Sequence, residues 1–216
     1  MYRSGMNDGL GGQVEVELAT PERDSHPEDM SDQPPRREAT YADLEKLPPN
    51  VIGELVGGEL YASPRPALRH SHATMVLAGN LEGPFDRGLG GPGGWLLLFE
   101  PELHLRQDVL VPDLAGWRRE RVPEMPDTAS FALAPDWVCE VLSPSTLRLD
   151  RGVKMGVYAR EGVKHLWLVD PAARMLEVYR LEGSKWLLLD THVGDRAGLA
   201  QPFDSVVLEL GAVWAR

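Results

Sequence analysis

The sequence predicts a mixed α/β domain built around a sheet, with core order helix, strand, strand, strand, helix, strand and extra strands at both ends. Three observations carry this. Apolar runs of strand length recur from residue 52 to residue 210. Helical spacing appears in two stretches, near residues 69–80 and 148–162. Between Pro135 and Pro171, PDWVCEVLSPSTLRLDRGVKMGVYAREGVKHLWLVDP reads as strand, Ser-Pro turn, helix and strand. That length fits a right-handed crossover between parallel strands.

Residues 1–39 are rich in Gly, Pro, Ser and acids, and carry few large apolar side chains. Such a stretch cannot offset its ordering entropy by burial, so a disordered tail is expected there, with the domain over residues 40–216. Thr40 suits the N-cap of a short helix reaching Leu47, with Asp43 in its first turn and Pro48-Pro49 ending it. IGELVGGELYAS (52–63) reads as a hairpin around Gly57-Gly58. A helix follows over 69–80, closing near Gly83-Pro84, then a Gly-rich loop over 88–94. WLLLFEPELHL (95–105) and DVLVPDLAGW (108–117) read as two strands joined near Arg106–Gln107. Residues 118–134 form a charged connection. After the crossover, MLEVYRL and KWLLLD flank Glu182-Gly183-Ser184 as a second hairpin, and SVVLEL reads as a last strand.

With 216 residues, 43% of them hydrophobic and 25% charged, the chain has the composition of a globular protein with one full core. No apolar run nears the roughly 18–20 residues that span a bilayer. The N-terminus has no apolar signal region. The one cysteine, Cys139, excludes an internal disulfide and fits a reducing, cytoplasmic setting. Net charge is −11: residues 1–40 hold nine acids and four bases, residues 41–216 hold 24 acids and 18 bases. Acidity in both parts disfavours nucleic-acid binding through bulk charge, because that affinity comes from neutralising phosphates. A nucleic-acid role needs a local basic patch.

Strand alternation separates the charged residues by face. Val138, Glu140 and Leu142 point one way; Trp137, Cys139 and Val141 point the other, which makes Cys139 a buried small hydrophobe. On the preceding strand Val111, Asp113 and Ala115 share a face, so Asp113 and Glu140 can sit side by side. Two ionised carboxylates that close repel, and a hard divalent cation is the simplest relief. On the helix, Asp150, Lys154 and Tyr158 follow at i, i+4 and i+8. Lys154 then either pairs with Asp150 at the surface or stabilises negative charge at the strand ends. His70 and His72 read as an exposed first helical turn, and their spacing is wrong for a zinc pair on a helix. Glu54 and Glu59 read as hairpin acids. Ser143 and Ser145 lack a nucleophile-elbow context, and residues 88–94 lack the lysine of a P-loop. Arg118, Arg119 and Arg121 form the dense basic cluster that could meet substrate phosphate.

Several short segments, in order, resemble one family. These are Thr40-Tyr-x-x-Leu44-x-x-Leu47-Pro48, Glu54-Leu, Gly58-Glu59-Leu60 and Ser63-Pro-x-Pro66-x-x-x-His70. Pro112-Asp113, Glu140-Val-Leu-Ser-Pro-Ser-Thr146, Asp150-x-x-x-Lys154-x-x-x-Tyr158 and Trp167-Leu-Val-Asp-Pro171 continue the series. Together they are similar to the Uma-type putative restriction endonucleases of the PD-(D/E)XK nuclease superfamily, over about residues 40–210. The resemblance implies a restriction-endonuclease-like core and Mg²⁺-dependent hydrolysis of DNA phosphodiester bonds, with Mn²⁺ as a substitute ion. Carried over, Asp113 and Glu140 hold the metal, Lys154 is the catalytic lysine, and Glu54 and His70 stand at motif positions near the site. The superfamily's usual lysine place, two residues after the second acid, holds Leu142 here. Lys154 would reach the site from the next helix instead. The alternative is a catalytically silent nuclease-fold module that binds nucleic acid or protein. A homodimer would suit double-strand cutting, with the second hairpin supplying its sheet edge.

Overall fold

The structure, a computed structural model, describes residues 37–214. The expected tail therefore lies outside the described residues except for 37–39, where Ala39 N–H donates to Gly58 O at 2.7 Å.

Thr40 caps α1 (Tyr41–Leu44) and donates its N–H and Oγ1–H to the Asp43 carboxylate. The helix is one turn shorter than the expected end at Leu47. Strands β1 (Val51–Val56) and β2 (Glu59–Pro64) form the expected hairpin. Gly57 and Gly58 both take positive φ, 59° and 78°, as a tight two-residue turn requires. Helix α2 (Leu68–Leu81) runs on into a π-helical turn, Glu82–Asp86, past the expected stop at Gly83-Pro84.

The next stretch departs from expectation. Instead of two long strands there are four short ones: β3 (Trp95–Phe99), β4 (Glu102–Leu105), β5 (Asp108–Leu110) and β6 (Leu114–Arg118). The breaks fall at Glu100-Pro101, where Glu100 has φ 44°, and at Pro112. Proline has no N–H to give a ladder, so both strands bend out of their sheet at the same level. β3 and β6 pair in one sheet while β4 and β5 pair in another. After β7 (Ser130–Phe131) come β8 (Trp137–Val141), a π-helical turn Leu149–Lys154, α3 (Met155–Arg160) and β9 (His165–Asp170). β8 and β9 are parallel, as a crossover requires. β10 (Met175–Glu182) and β11 (Lys185–Val193) form the second hairpin. The expected last strand, SVVLEL, is an irregular segment with a single bridge, Gly198 to Leu208, and then α4 (Leu210–Val213).

The two sheets are mixed, with strand orders β2-β1-β5-β4-β7 and β11-β10-β9-β8-β6-β3. The six-stranded sheet is covered on both faces. Trp137, Cys139 and Val141 face α2 and the C-terminal segment. Val138 and Leu142 face α3 and the five-stranded sheet. Alternation along β8 thus assigns its faces as expected. Asp108, fully buried at the start of β5, accepts Gly57 N–H at 2.7 Å and pairs with Arg160 of α3, tying the layers together.

The C-terminal segment is anchored by Phe203, whose ring lies 4.7, 4.8, 4.8 and 5.5 Å from the rings of Phe85, Trp95, Trp137 and Trp167. Phe203→Ala is expected to cost about 3–5 kcal/mol in urea unfolding, through lost burial and the cavity left behind. His165 at the head of β9 is held neutral: burial, then the cations Arg118 and Arg180, lower its pKa from 6.5 to about 4. Between those values the unfolded chain binds the proton and the fold does not, so stability falls as pH drops through that window. Urea midpoints at several pH values should show this fall, and His165→Gln should flatten it.

Candidate active site

Four separate stretches of chain bring acids and bases to one cavity of about 280 Å³. β1 supplies Glu54, the loop before β6 supplies Asp113, and β8 supplies Glu140. The π-helical turn before α3 supplies Asp150 and Lys154. The antiparallel register Leu114–Cys139, carried one step further, sets Asp113 opposite Glu140. Asp113 Oδ2 accepts the N–H of Val141 at 2.7 Å, which locks the two strands at this level.

Lys154 is the centre. It is 2% exposed, and its Nζ lies 2.8 Å from Glu140 Oε1, 2.9 Å from Glu54 Oε1 and 3.4 Å from Asp150 Oδ1. Burial opposes its charge, but Glu140 and Glu54, with Tyr158 and Asp150 behind them, push its pKa well above the ordinary lysine value. It stays an ammonium and is not a proton acceptor. Tyr158 OH donates to Glu140 Oε1 at 2.5 Å. Glu140 Oε1 is therefore held by two donors. Burial, opposed by Lys154 and reinforced by Asp150, Asp113 and Glu54, pushes the Glu140 pKa well up. Burial likewise raises that of Asp150. Glu54 Oε1 also accepts Val111 N–H at 2.9 Å.

His70 departs from the expected exposed position. It is buried on the first turn of α2, with Nε2 3.2 Å from Asp113 Oδ1. Burial alone would lower its pKa, but Asp113 raises it overall. His72, two residues on, is exposed and its Nε2 lies 3.2 Å from Ala212 O. Glu59 is exposed and accepts Tyr61 OH. Cys139 is buried, and burial pushes its thiol well up, so it is no nucleophile.

Arg118, Arg119 and Arg121 do not join the site. They lie at or beyond the far end of β6, about 16 Å along the strand from Asp113 at 3.3 Å per residue. Arg118 lies over the Trp95 ring, Arg119 pairs with Asp86 at 2.7 Å and Arg121 with Asp136 at 2.7 Å. Arg65, on the turn after β2, lines the cavity instead, with the Ser143, Ser145 and Thr146 residues of the turn after β8. The sequence pattern passed over Arg65 and treated Asp150 only as a helical partner of Lys154. The Ser-Pro-x-Pro turn before His70 was the available signal for Arg65.

The donor set suits a hard divalent cation in its chemistry. Four carboxylates share the cavity with one ammonium, one guanidinium and one histidine, and all the acidic donors are oxygens. Among the described residues no three His, Cys, Asp or Glu side chains converge as a ready ligand set.

Removing Lys154 leaves buried carboxylates without their counter-charge. Lys154→Ala is expected to destabilise the fold by about 3–5 kcal/mol at neutral pH. Asp150→Asn removes one of the surplus negative charges while keeping the shape, and is expected to be neutral or stabilising. Urea unfolding of both variants beside the parent distinguishes the two effects.

A family model described as Uma2, putative restriction endonuclease, matches residues 39–210. No curated protein sequence matches the chain. Among solved structures the chain is similar to a protein described as a putative nuclease belonging to DUF820 from Anabaena variabilis ATCC 29413. The TM-score is 0.60 at 22% identity, over 82% of this chain and 97% of that one, which establishes a shared fold. With the family match running from just before the Thr40 cap to α4, the chain belongs to the Uma2 family of putative restriction endonucleases.

Proposed function

We propose that the chain is a metal-dependent endonuclease that hydrolyses DNA phosphodiester bonds. One observation carries this reading: Asp113, Glu140 and the buried Lys154 line one cavity, with Lys154 Nζ 2.8 Å from Glu140 Oε1. Family membership and the description of the Anabaena protein as a putative nuclease point the same way.

Asp113 and Glu140 are the residues that would hold Mg²⁺, or Mn²⁺ in its place. Bound there, the ion would supply Lewis acidity toward a phosphoryl oxygen and a water of lowered pKa. The chain's own groups do the rest. Lys154 holds Glu140 in place and presents fixed positive charge where negative charge builds on the phosphorus oxygens. Glu54 positions Lys154 through its own contact at 2.9 Å. His70 orients Asp113 through Oδ1, leaving the strand N–H of Val141 to fix Oδ2. Arg65 and the Ser143 hydroxyl at the cavity wall suit the substrate phosphate better than the arginines beyond β6. Arg65 provides positive charge where the chain as a whole is acidic.

The expected outcome is nicking or cleavage of plasmid DNA in Mg²⁺ or Mn²⁺, lost by about a hundredfold or more in Asp113→Asn and Glu140→Gln. Equal cleavage by parent and variants would assign the activity to a contaminant or another site. A second reading, a catalytically silent module that binds nucleic acid or protein, is favoured by Leu142 at the usual lysine place and by the three carboxylates that hold Lys154. Calorimetry with Mn²⁺ separates the two: binding lost in Asp113→Asn supports the enzyme, and no binding by the parent supports the module.

A further inference from the structure

The six-stranded sheet ends in two different edges. At β3, Leu97 N–H donates to Asp86 Oδ2 at 2.8 Å, and Arg119 closes over the same carboxylate. That edge is capped by side chains, a common protection against strand pairing. β11 at the other end is nine residues long, KWLLLDTHV, and no described strand pairs with its outer side. Leu187 and Leu188 are 42% and 46% exposed there. A long edge carrying exposed leucines is a template for another strand.

The strand is complementary to itself in one register. Its pairing with β10 slips between Val178–Asp190 and Tyr179–Leu188, so Leu189 is a bulged extra residue. Side-chain alternation therefore shifts by one across Leu189. Lys185 and Leu187 before the bulge share a face with Asp190 after it, whereas Trp186 and Leu188 lie on the other face. Now lay a second β11 antiparallel to the first about a two-fold axis at Leu187. Leu187 then meets its own copy, Trp186 meets Leu188, and Lys185 meets Asp190 once the bulge is passed. Every pair shares a face, and the only charges in the ladder are opposite. Because the axis repeats it, the Lys185–Asp190 contact occurs twice. Asp190 also accepts the N–H of Thr191 and lies 3.4 Å from His192, contacts that leave it exposed.

We propose that β11 is a homodimer interface, on which a second copy of this chain pairs antiparallel about Leu187 to give a continuous twelve-stranded sheet. The proposal is independent of the nuclease reading, because it uses no residue of the cavity.

The test is sedimentation velocity of the full chain across micromolar concentrations, with charge swaps. The parent should dimerise. Lys185→Glu should weaken the dimer by about tenfold or more, since two cross-strand pairs become repulsive. Lys185→Glu combined with Asp190→Lys should restore it. Leu187→Cys should form a disulfide-linked dimer on mild oxidation while Val193→Cys, exposed on the same strand but outside the ladder, should not; buried Cys139 stays silent. A chain monomeric at every concentration would overturn the proposal. So would a dimer indifferent to Lys185→Glu, or one that cross-links as readily through Val193→Cys.

Discussion

Everything around the site depends on placing one ammonium, that of Lys154, out of water and among acids. Burying an isolated lysine charge costs several kcal/mol, and the cost is offset only where opposite charge is supplied at short range. Glu140, Glu54 and Asp150 supply it at 2.8, 2.9 and 3.4 Å. These acids come from β8, from β1 and from the turn before α3. β1 belongs to the five-stranded sheet and β8 to the six-stranded one. The ion cluster therefore joins the two sheets, and the helix sits where Lys154 can reach both.

The same cluster is overcharged. Four carboxylates line the cavity with Lys154, Arg65 and His70, and burial and mutual repulsion raise the pKa values of Glu140 and Asp150. A purely structural ion pair would balance its charges. Under the proposed nuclease function, a bound cation would relieve that surplus and stabilise the fold. The π-helical turn that carries Asp150 and Lys154 fits this picture, since such turns widen a helix at functional positions.

The outward chemistry of the chain is consistent with that site. Basic side chains away from the cavity are largely spent on acids: Arg119 on Asp86, Arg121 on Asp136, Arg151 on Glu177 and Arg160 on Asp108. The dense run of arginines in the sequence thus lies outside the cavity lining. Free energy gained from those local pairs and from the Trp95 ring beneath Arg118 holds the run against the domain. The single arginine lining the cavity, Arg65, comes from a proline-rich turn that no charge count would single out.

The sequence by itself determined the strand–helix–strand unit around Glu140, both hairpins, the faces of β8, and the neighbourhood of Asp113, Glu140 and Lys154. Those are consequences of local periodicity and of register between adjacent strands, which short segments encode. Glu54 and His70 were marked by family resemblance alone, because nothing local distinguishes a buried hairpin acid from an exposed one such as Glu59. Only the tertiary structure decided that β3 to β6 split between two sheets, since the bends at Pro101 and Pro112 matter only when there is a second sheet to enter. It also decided that Lys154 turns inward to three acids instead of pairing with Asp150 at the surface. An i, i+4 pair looks the same in either setting. What differs is the desolvation that Glu54 and Glu140 offset, and those residues lie 100 and 14 positions away in the chain.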